Sequence, residues 1–322
     1  MHSDHFLRVV MYHYVRDLPN TPYSRLKGML LDDFRQQVIQ LSSQFEMASL
    51  ESAVDFLAGE YRPRRDLCLL TFDDGLKEHF RDVVPILSER HVRGVFFLIT
   101  SALEEHKVAA VHMNHFLMAA LEFEEFSTLF FRKAVELSGD EFEAPNVDTD
   151  KAMRTYTWDT PEVARFKYLL NFGMNPDLRD RALRELFTTH ISDEATFAEQ
   201  LYISWDEAKQ MQRAGMAMGG HTHMHLALAG LPAQELAWDL ETCTRLLRQK
   251  LLAQAVWPFS YPFGKKDSFH IRAVRKLQQL GYRCAFSTEV GDNRRGTDSY
   301  MIGRTDCKRA LVSKVGAAGG QD

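Results

Sequence analysis

The chain has 322 residues, 45% hydrophobic and 26% charged, the balance of a folded globular protein, which excludes global disorder. A net charge of −5 leaves no overall basic field to hold a nucleic-acid backbone. The four cysteines, Cys68, Cys243, Cys284 and Cys307, are far apart and form no CxxC pair, which argues against a disulfide framework and suits a reducing compartment.

From the N-terminus, LRVVMY (7–12) is a short buried strand, too short for the core of a signal peptide. No run approaches the roughly 20 apolar residues of a membrane span, so the expected location is the cytoplasm. DDFRQQVIQLSSQF has the apolar spacing of an amphipathic helix. LCLLTF (67–72) is again a buried strand, followed by a helix over 77–89, and GVFFLI (94–99) is a third. Residues 102–200 then break the alternation with helical patterns such as LEFEEFSTLFFRKAVELSG, and about 100 residues is too long for one loop. The alternation resumes with SWDEAKQMQRAG, the strand GMAMGG (215–220), a long helix, the strand VWPFSY (256–261), the helix FHIRAVRKLQQLGY and the strand CAFST (284–288). The ending GAAGGQD reads as a frayed tail. Strand and helix alternating in this way predict an α/β fold, a parallel sheet wrapped by helices and open or closed into a barrel. The barrel comprises 1–101 and 201–322, and 102–200 is a helical insertion.

Three segments at strand ends carry chemistry. Asp73-Asp74-Gly75 follows LCLLTF, and ligands bind at the carboxyl ends of parallel strands. Paired aspartates there suit metal-assisted hydrolysis, although an N-cap and turn would use the same residues. Gly219-Gly220-His221-Thr222-His223-Met224-His225 gathers imidazoles of the kind that bind zinc and related cations. A helical turn would put His221 and His225 on one face, whereas an extended segment would align all three histidines. Phe259-Ser260-Tyr261-Pro262-Phe263-Gly264 forms a tight corner that leaves backbone N–H groups free.

Together, Thr71-Phe72-Asp73-Asp74-Gly75, His221-Thr222-x-x-His225 and Tyr261-Pro262-Phe263-Gly264 resemble the motifs of the polysaccharide deacetylases, the NodB-homology or carbohydrate esterase family 4 group. Val10-Met11-Tyr12-His13-Tyr14-Val15, Ile203-Ser204-Trp205-Asp206, Thr288-x-x-Gly291-x-Asn293 and Arg304 add to the likeness, which spans roughly 7–101 and 201–306. The resemblance implies a distorted (β/α) barrel of about seven strands and removal of N-acetyl groups from amino sugars with a divalent metal. It implies Asp74, His221 and His225 as ligands of zinc, with nickel or cobalt as alternatives. Asp73 would be the general base, and the Phe263 N–H an oxyanion donor, with Tyr261, Pro262 and Arg304 as its oxyanion- or substrate-binding neighbours. Thr222 would brace the loop, and His223 has no family role and is expected to be solvated.

The chain also departs from the family. Many members carry an Arg two residues before the proline, where this chain has Ser260. Many supply a C-terminal histidine as general acid, and here none follows His270. Poly-N-acetylglucosamine deacetylases resemble a permuted arrangement in which an early Tyr-His element supplies it, which points to His13; a buried structural role is the alternative. His112, His115, Trp158 and Trp257 could reach the substrate or simply pack. The expected substrate is an N-acetylated amino sugar on a nucleotide or lipid carrier in O-antigen or capsule assembly, with the insertion as a lid or wall over the cleft. Two rival readings are an amidohydrolase acting on another amide and a catalytically silent sugar-binding barrel.

Overall fold

A computed structural model describes residues 5–139 and 143–311; the glycine-rich tail noted above lies outside them. The strands of the main sheet are β1 (Leu7–Tyr12), β2 (Glu46–Met47), β3 (Leu67–Phe72), β4 (Gly94–Leu98), β5 (Ala217–Gly220), β6 (Pro258–Ser260), β7 (Cys284–Phe286) and β8 (Thr305–Asp306). They form one parallel sheet in the order β8-β1-β3-β4-β5-β6-β7, with β2 on the start of β3. This is the curled, NodB-like distorted barrel that the sequence predicts, with seven strands along its path. The seventh, β8, is only two residues long and carries no apolar run. It pairs with Val10 and Met11, while Ile302 just before it bridges Phe286 on β7. One short segment therefore ties the two edges of the sheet together.

All six residues of β3 are buried, as expected of a strand covered on both faces. The covering helices begin with α1 (Leu31–Gln44), α2 (Leu50–Ala58) and α3 (Val84–Glu89). The helix expected over 77–89 is interrupted. His79–Val83 forms a π turn, closed by the Val84 N–H donating to the His79 carbonyl. Pro85 follows directly and has no N–H to continue an α-helical ladder into that turn.

The helical segment runs through α4 (Thr100–Glu105), α5 (Ala110–Ala120), α6 (Phe123–Ser138), α7 (Thr149–Thr155), α8 (Pro161–Tyr168), α9 (Pro176–His190) and α10 (Glu194–Leu201). Its buried Phe116, Phe126, Phe130 and Phe187 belong to the same hydrophobic cluster as Val10, Tyr12, Phe72 and Phe96 of the sheet. The barrel then continues with α11 (Trp205–Arg213), α12 (Ala233–Lys250) and α13 (Ile271–Gln279). Ser204 and Glu207 form the capping box at the start of α11. No helix among the described residues is long and apolar enough to cross a membrane.

Candidate active site

The carboxyl ends of four strands converge. His13 lies just beyond β1, Asp73 and Asp74 follow β3, His221 follows β5, and Phe263 lies past the end of β6. Four non-glycine residues in this cluster adopt positive φ: Asp74 (78°), Thr222 (65°), His225 (54°) and Phe263 (62°). Such backbone costs on the order of 1 kcal/mol or more per residue and persists where surrounding contacts impose it. Here it re-aims the side chains. The histidine loop is neither helical nor extended, and its two left-handed residues bring His221 and His225 together while turning His223 away.

Asp74 Oδ1 lies 3.4 Å from His221 Nε2 and 3.6 Å from His225 Nε2. It is buried and has no hydrogen-bond partner among the described residues. Ligand atoms bound tetrahedrally to zinc at about 2.0–2.1 Å are about 3.3 Å apart, so an orphaned carboxylate oxygen with two imidazoles at this spacing fits a divalent cation. The His221 Nδ1–H donates to the Ser260 carbonyl at 2.7 Å, which turns Nε2 toward Asp74; burial lowers its pKa, but Asp73 and Asp74 outweigh that and raise it. Burial, assisted by nearby His221, holds His225 down to about 3, so its ring is neutral as a ligand must be. The Thr222 hydroxyl accepts the His225 N–H at 2.8 Å and braces the loop.

Asp73 faces the other way. Arg304 donates to both its carboxylate oxygens at 2.8 Å. The remaining guanidinium N–H groups go to Ser260 Oγ, Thr71 Oγ1 and the Ser287 carbonyl. All five donors are thus used inside the protein, at a residue that also lines the cleft. Arg304 supplies the cation missing at position 260, from the other end of the chain. Burial alone would raise the Asp73 carboxyl; Arg304, His221 and His13 together outweigh it and hold it at about 2. His13 Nε2 is 3.7 Å from Asp73 Oδ2, with its side chain 43% exposed to the cleft, unlike a buried core histidine. His79 donates from Nε2 to the His13 carbonyl and pins that strand end.

The Phe263 N–H has no acceptor among the described residues, and its residue lines the cleft. Pro262 fixes the backbone entering this corner. Tyr261 stacks on Phe269 and donates its hydroxyl to the Tyr300 carbonyl, and the residue also lines the cleft. His223 is buried rather than solvated. Its ring lies 2.9 Å from Thr100 Oγ1 and 2.9 Å from Glu105, and its N–H, with that of Met224, donates to Asp239 on α12. Burial pushes the Asp239 carboxyl up to about 6 despite these two donors. Trp158, 58% exposed, lines the cleft under the Arg309 guanidinium, whereas Trp257 packs against the core. Neither Asp239 nor Glu105 carries a signal in the sequence, because their partners lie 15 or more residues away.

His112 and His115 both reach the site region from α5. His115 lines the cleft, and His112 is within 3.0 Å of Asp74 Oδ2. The helical segment therefore contributes to the cleft wall.

At the carboxyl end of a parallel α/β barrel, a carboxylate pair and two convergent histidines thus bring together Asp74, His221 and His225, a group that could hold a metal ion. The sequence pattern of the polysaccharide deacetylases matches residues 60–171 and 177–285, and the chain belongs to that family. The match runs through most of the helical segment, which the short motifs leave out. YxkH of Bacillus subtilis is 26% identical over 103 residues, 32% of this chain, and the chain spans about a third (36%) of that relative's length. IcaB from Ammonifex degensii is similar in structure at 19% identity, with a TM-score of 0.57 over 93% of this chain and 91% of its own. The Streptococcus pyogenes deacetylase PplD, solved with acetate, shows a TM-score of 0.58 at 14% identity, covering 94% and 93%.

Proposed function

We propose that this protein hydrolyses the amide of an N-acetylated amino sugar, releasing acetate and a free amine, with a divalent metal in its site. One observation carries this reading: the orphaned Asp74 Oδ1 and two histidine nitrogens face each other beside a second carboxylate, Asp73, with a different set of partners. Asp74, His221 and His225 would hold the cation, zinc being the first choice, and it would supply Lewis acidity toward water and the acetyl carbonyl. Asp73 accepts a proton from the attacking water. The Phe263 N–H stabilises the negative charge that develops on the carbonyl oxygen. His13 donates a proton to the departing nitrogen, which cannot leave as an anion.

The walled cleft supports a chain end or short saccharide as substrate. Asn114, His115 and Trp158 of the helical segment line it, closing one side of what would otherwise be a groove. Lys265 and Arg309 also line it with no carboxylate partner among the described residues, which suits an anionic carrier such as the phosphate of a nucleotide or lipid. A carrier-linked substrate agrees with action in the cytoplasm during surface-polysaccharide assembly. A sugar-binding barrel without activity would have no use for an ionised Asp73 held beside His13.

The test is acetate release from carrier-linked N-acetyl sugars and from short N-acetylated oligosaccharides, with zinc, nickel or cobalt added. Asp73→Asn should retain metal and lose at least about 10²-fold in rate. Absence of acetate release from every substrate, or an undiminished Asp73→Asn variant, would sink the reading.

A further inference from the structure

We propose that His112, carried by the helical segment, is a positioning residue that fixes the Asp74 carboxylate for metal binding. The inference rests on the reading of Asp74 as a ligand given above, and His112 lies in none of the three motifs that suggested the site.

The Asp74 carboxylate is buried and has two oxygens with different fates. Oδ1 faces His221 and His225, and Oδ2 lies 3.0 Å from His112 Nε2. The terminal torsion of an aspartate is broad, so burial does not by itself select the rotation that aims one oxygen at the histidines. A donor on the second oxygen does. His112 is 1% exposed, and its proton is placed by a short relay. The Ala109 N–H donates to the Tyr202 hydroxyl oxygen at 3.1 Å, so the hydroxyl hydrogen is directed to His112 Nδ1 at 2.5 Å. With Nδ1 accepting, Nε2 carries the hydrogen and donates it to Asp74. The atoms that converge to hold a cation are those of Asp74, His221 and His225, and His112, on the other oxygen of Asp74, acts on the carboxylate instead.

The backbone holds the relay against the same turn. Tyr202 bridges Leu76, and the Ile203 N–H donates to the Gly75 carbonyl at 2.9 Å, directly after Asp74. Both ends of the helical segment, His112 near its start and Tyr202 at its close, thus meet at the Asp73-Asp74-Gly75 corner. The barrel motifs supply the ligands, and the helical segment orients one of them.

The experiment is titration of the full-length apoprotein with Co2+ and Zn2+, reading affinity by competition with a chelator and geometry by the visible Co2+ spectrum. His112→Ala should weaken binding about 10–100-fold, the range for loss of a hydrogen bond to a ligand, and should shift the Co2+ bands. His112→Gln can still donate an N–H from the same place, and it should restore most of the affinity and the wild-type spectrum. Tyr202→Phe should give a smaller loss, and it keeps the proposal testable should His112→Ala fail to fold. Affinity of a folded His112→Ala within twofold of wild type would overturn the proposal, as would a His112→Gln variant as weak as His112→Ala. Should the latter fail to fold, wild-type affinity in Tyr202→Phe would overturn it. Failure of the wild-type protein to bind either ion would instead remove the metal-site reading on which it stands.

Discussion

Arg304 illustrates how much of this site depends on single side chains. Its planar fork meets both oxygens of Asp73, an arrangement that a lysine ammonium cannot copy. Removing one partner of a buried pair leaves an uncompensated charge, at a cost of about 3–5 kcal/mol. Arg304→Ala should therefore lower the unfolding free energy by that order in urea titration. Asp73 is held below its ordinary value, so the pair contributes its stability above about pH 4 and loses it as pH falls toward 2. Without Arg304, burial pushes the carboxyl upward, and the acid limb of the rate profile should move to higher pH. An Arg304→Ala variant with wild-type stability and an unmoved acid limb would contradict this role.

Strands and helices set the spacing into which such side chains fit. In β5, Gly219 lies so close to its neighbours that a Cβ would sit 2.6 Å from both the Phe97 ring and the Pro258 carbonyl oxygen. A backbone atom cannot swing aside, so Gly219→Ala forces β4, β5 and β6 apart. We expect a loss of about 1–3 kcal/mol in unfolding free energy, read as a lowered Tm. The same displacement reaches His221, two residues on, so metal affinity should fall as well. A variant with unchanged Tm would show that β5 accommodates the extra methyl group. The neighbouring loop is fixed from a different element, since Asp239 of α12 accepts the N–H groups of His223 and Met224.

At the scale of the molecule, the barrel and the helical segment share one core. Phenylalanines of α5, α6 and α9 pack in the cluster that contains Tyr12, Phe72 and Phe96 of the sheet. The segment should therefore not unfold apart from the sheet. We expect one cooperative unfolding transition, with tryptophan fluorescence and far-UV circular dichroism changing together in denaturant. Trp158 reports from the helical segment, and Trp205, Trp238 and Trp257 from the barrel. Two separated transitions, one per probe, would mean that the parts fold independently.

The sequence by itself determined the alternation of strands and helices, the helical segment and the residues that cluster at the site. These are local properties: six buried strands appear as apolar runs, and Asp73-Asp74 and His221 to His225 are contiguous in the chain. Tertiary structure decided which of them face one another. Thr222 and His225 in left-handed conformations send His223 to Thr100 and Glu105 instead of the cleft, which no spacing rule contains. Arg304 meets Asp73 across 231 residues of chain in place of the arginine absent at 260, and β8 closes the sheet with two residues too few to show a pattern. His112 looks like an ordinary helical histidine until α5 is laid against the turn that carries Asp74. Short-range pattern fixes elements because helix and strand periods are local, whereas hydrogen-bond partners far apart in the chain meet only when the common core has packed.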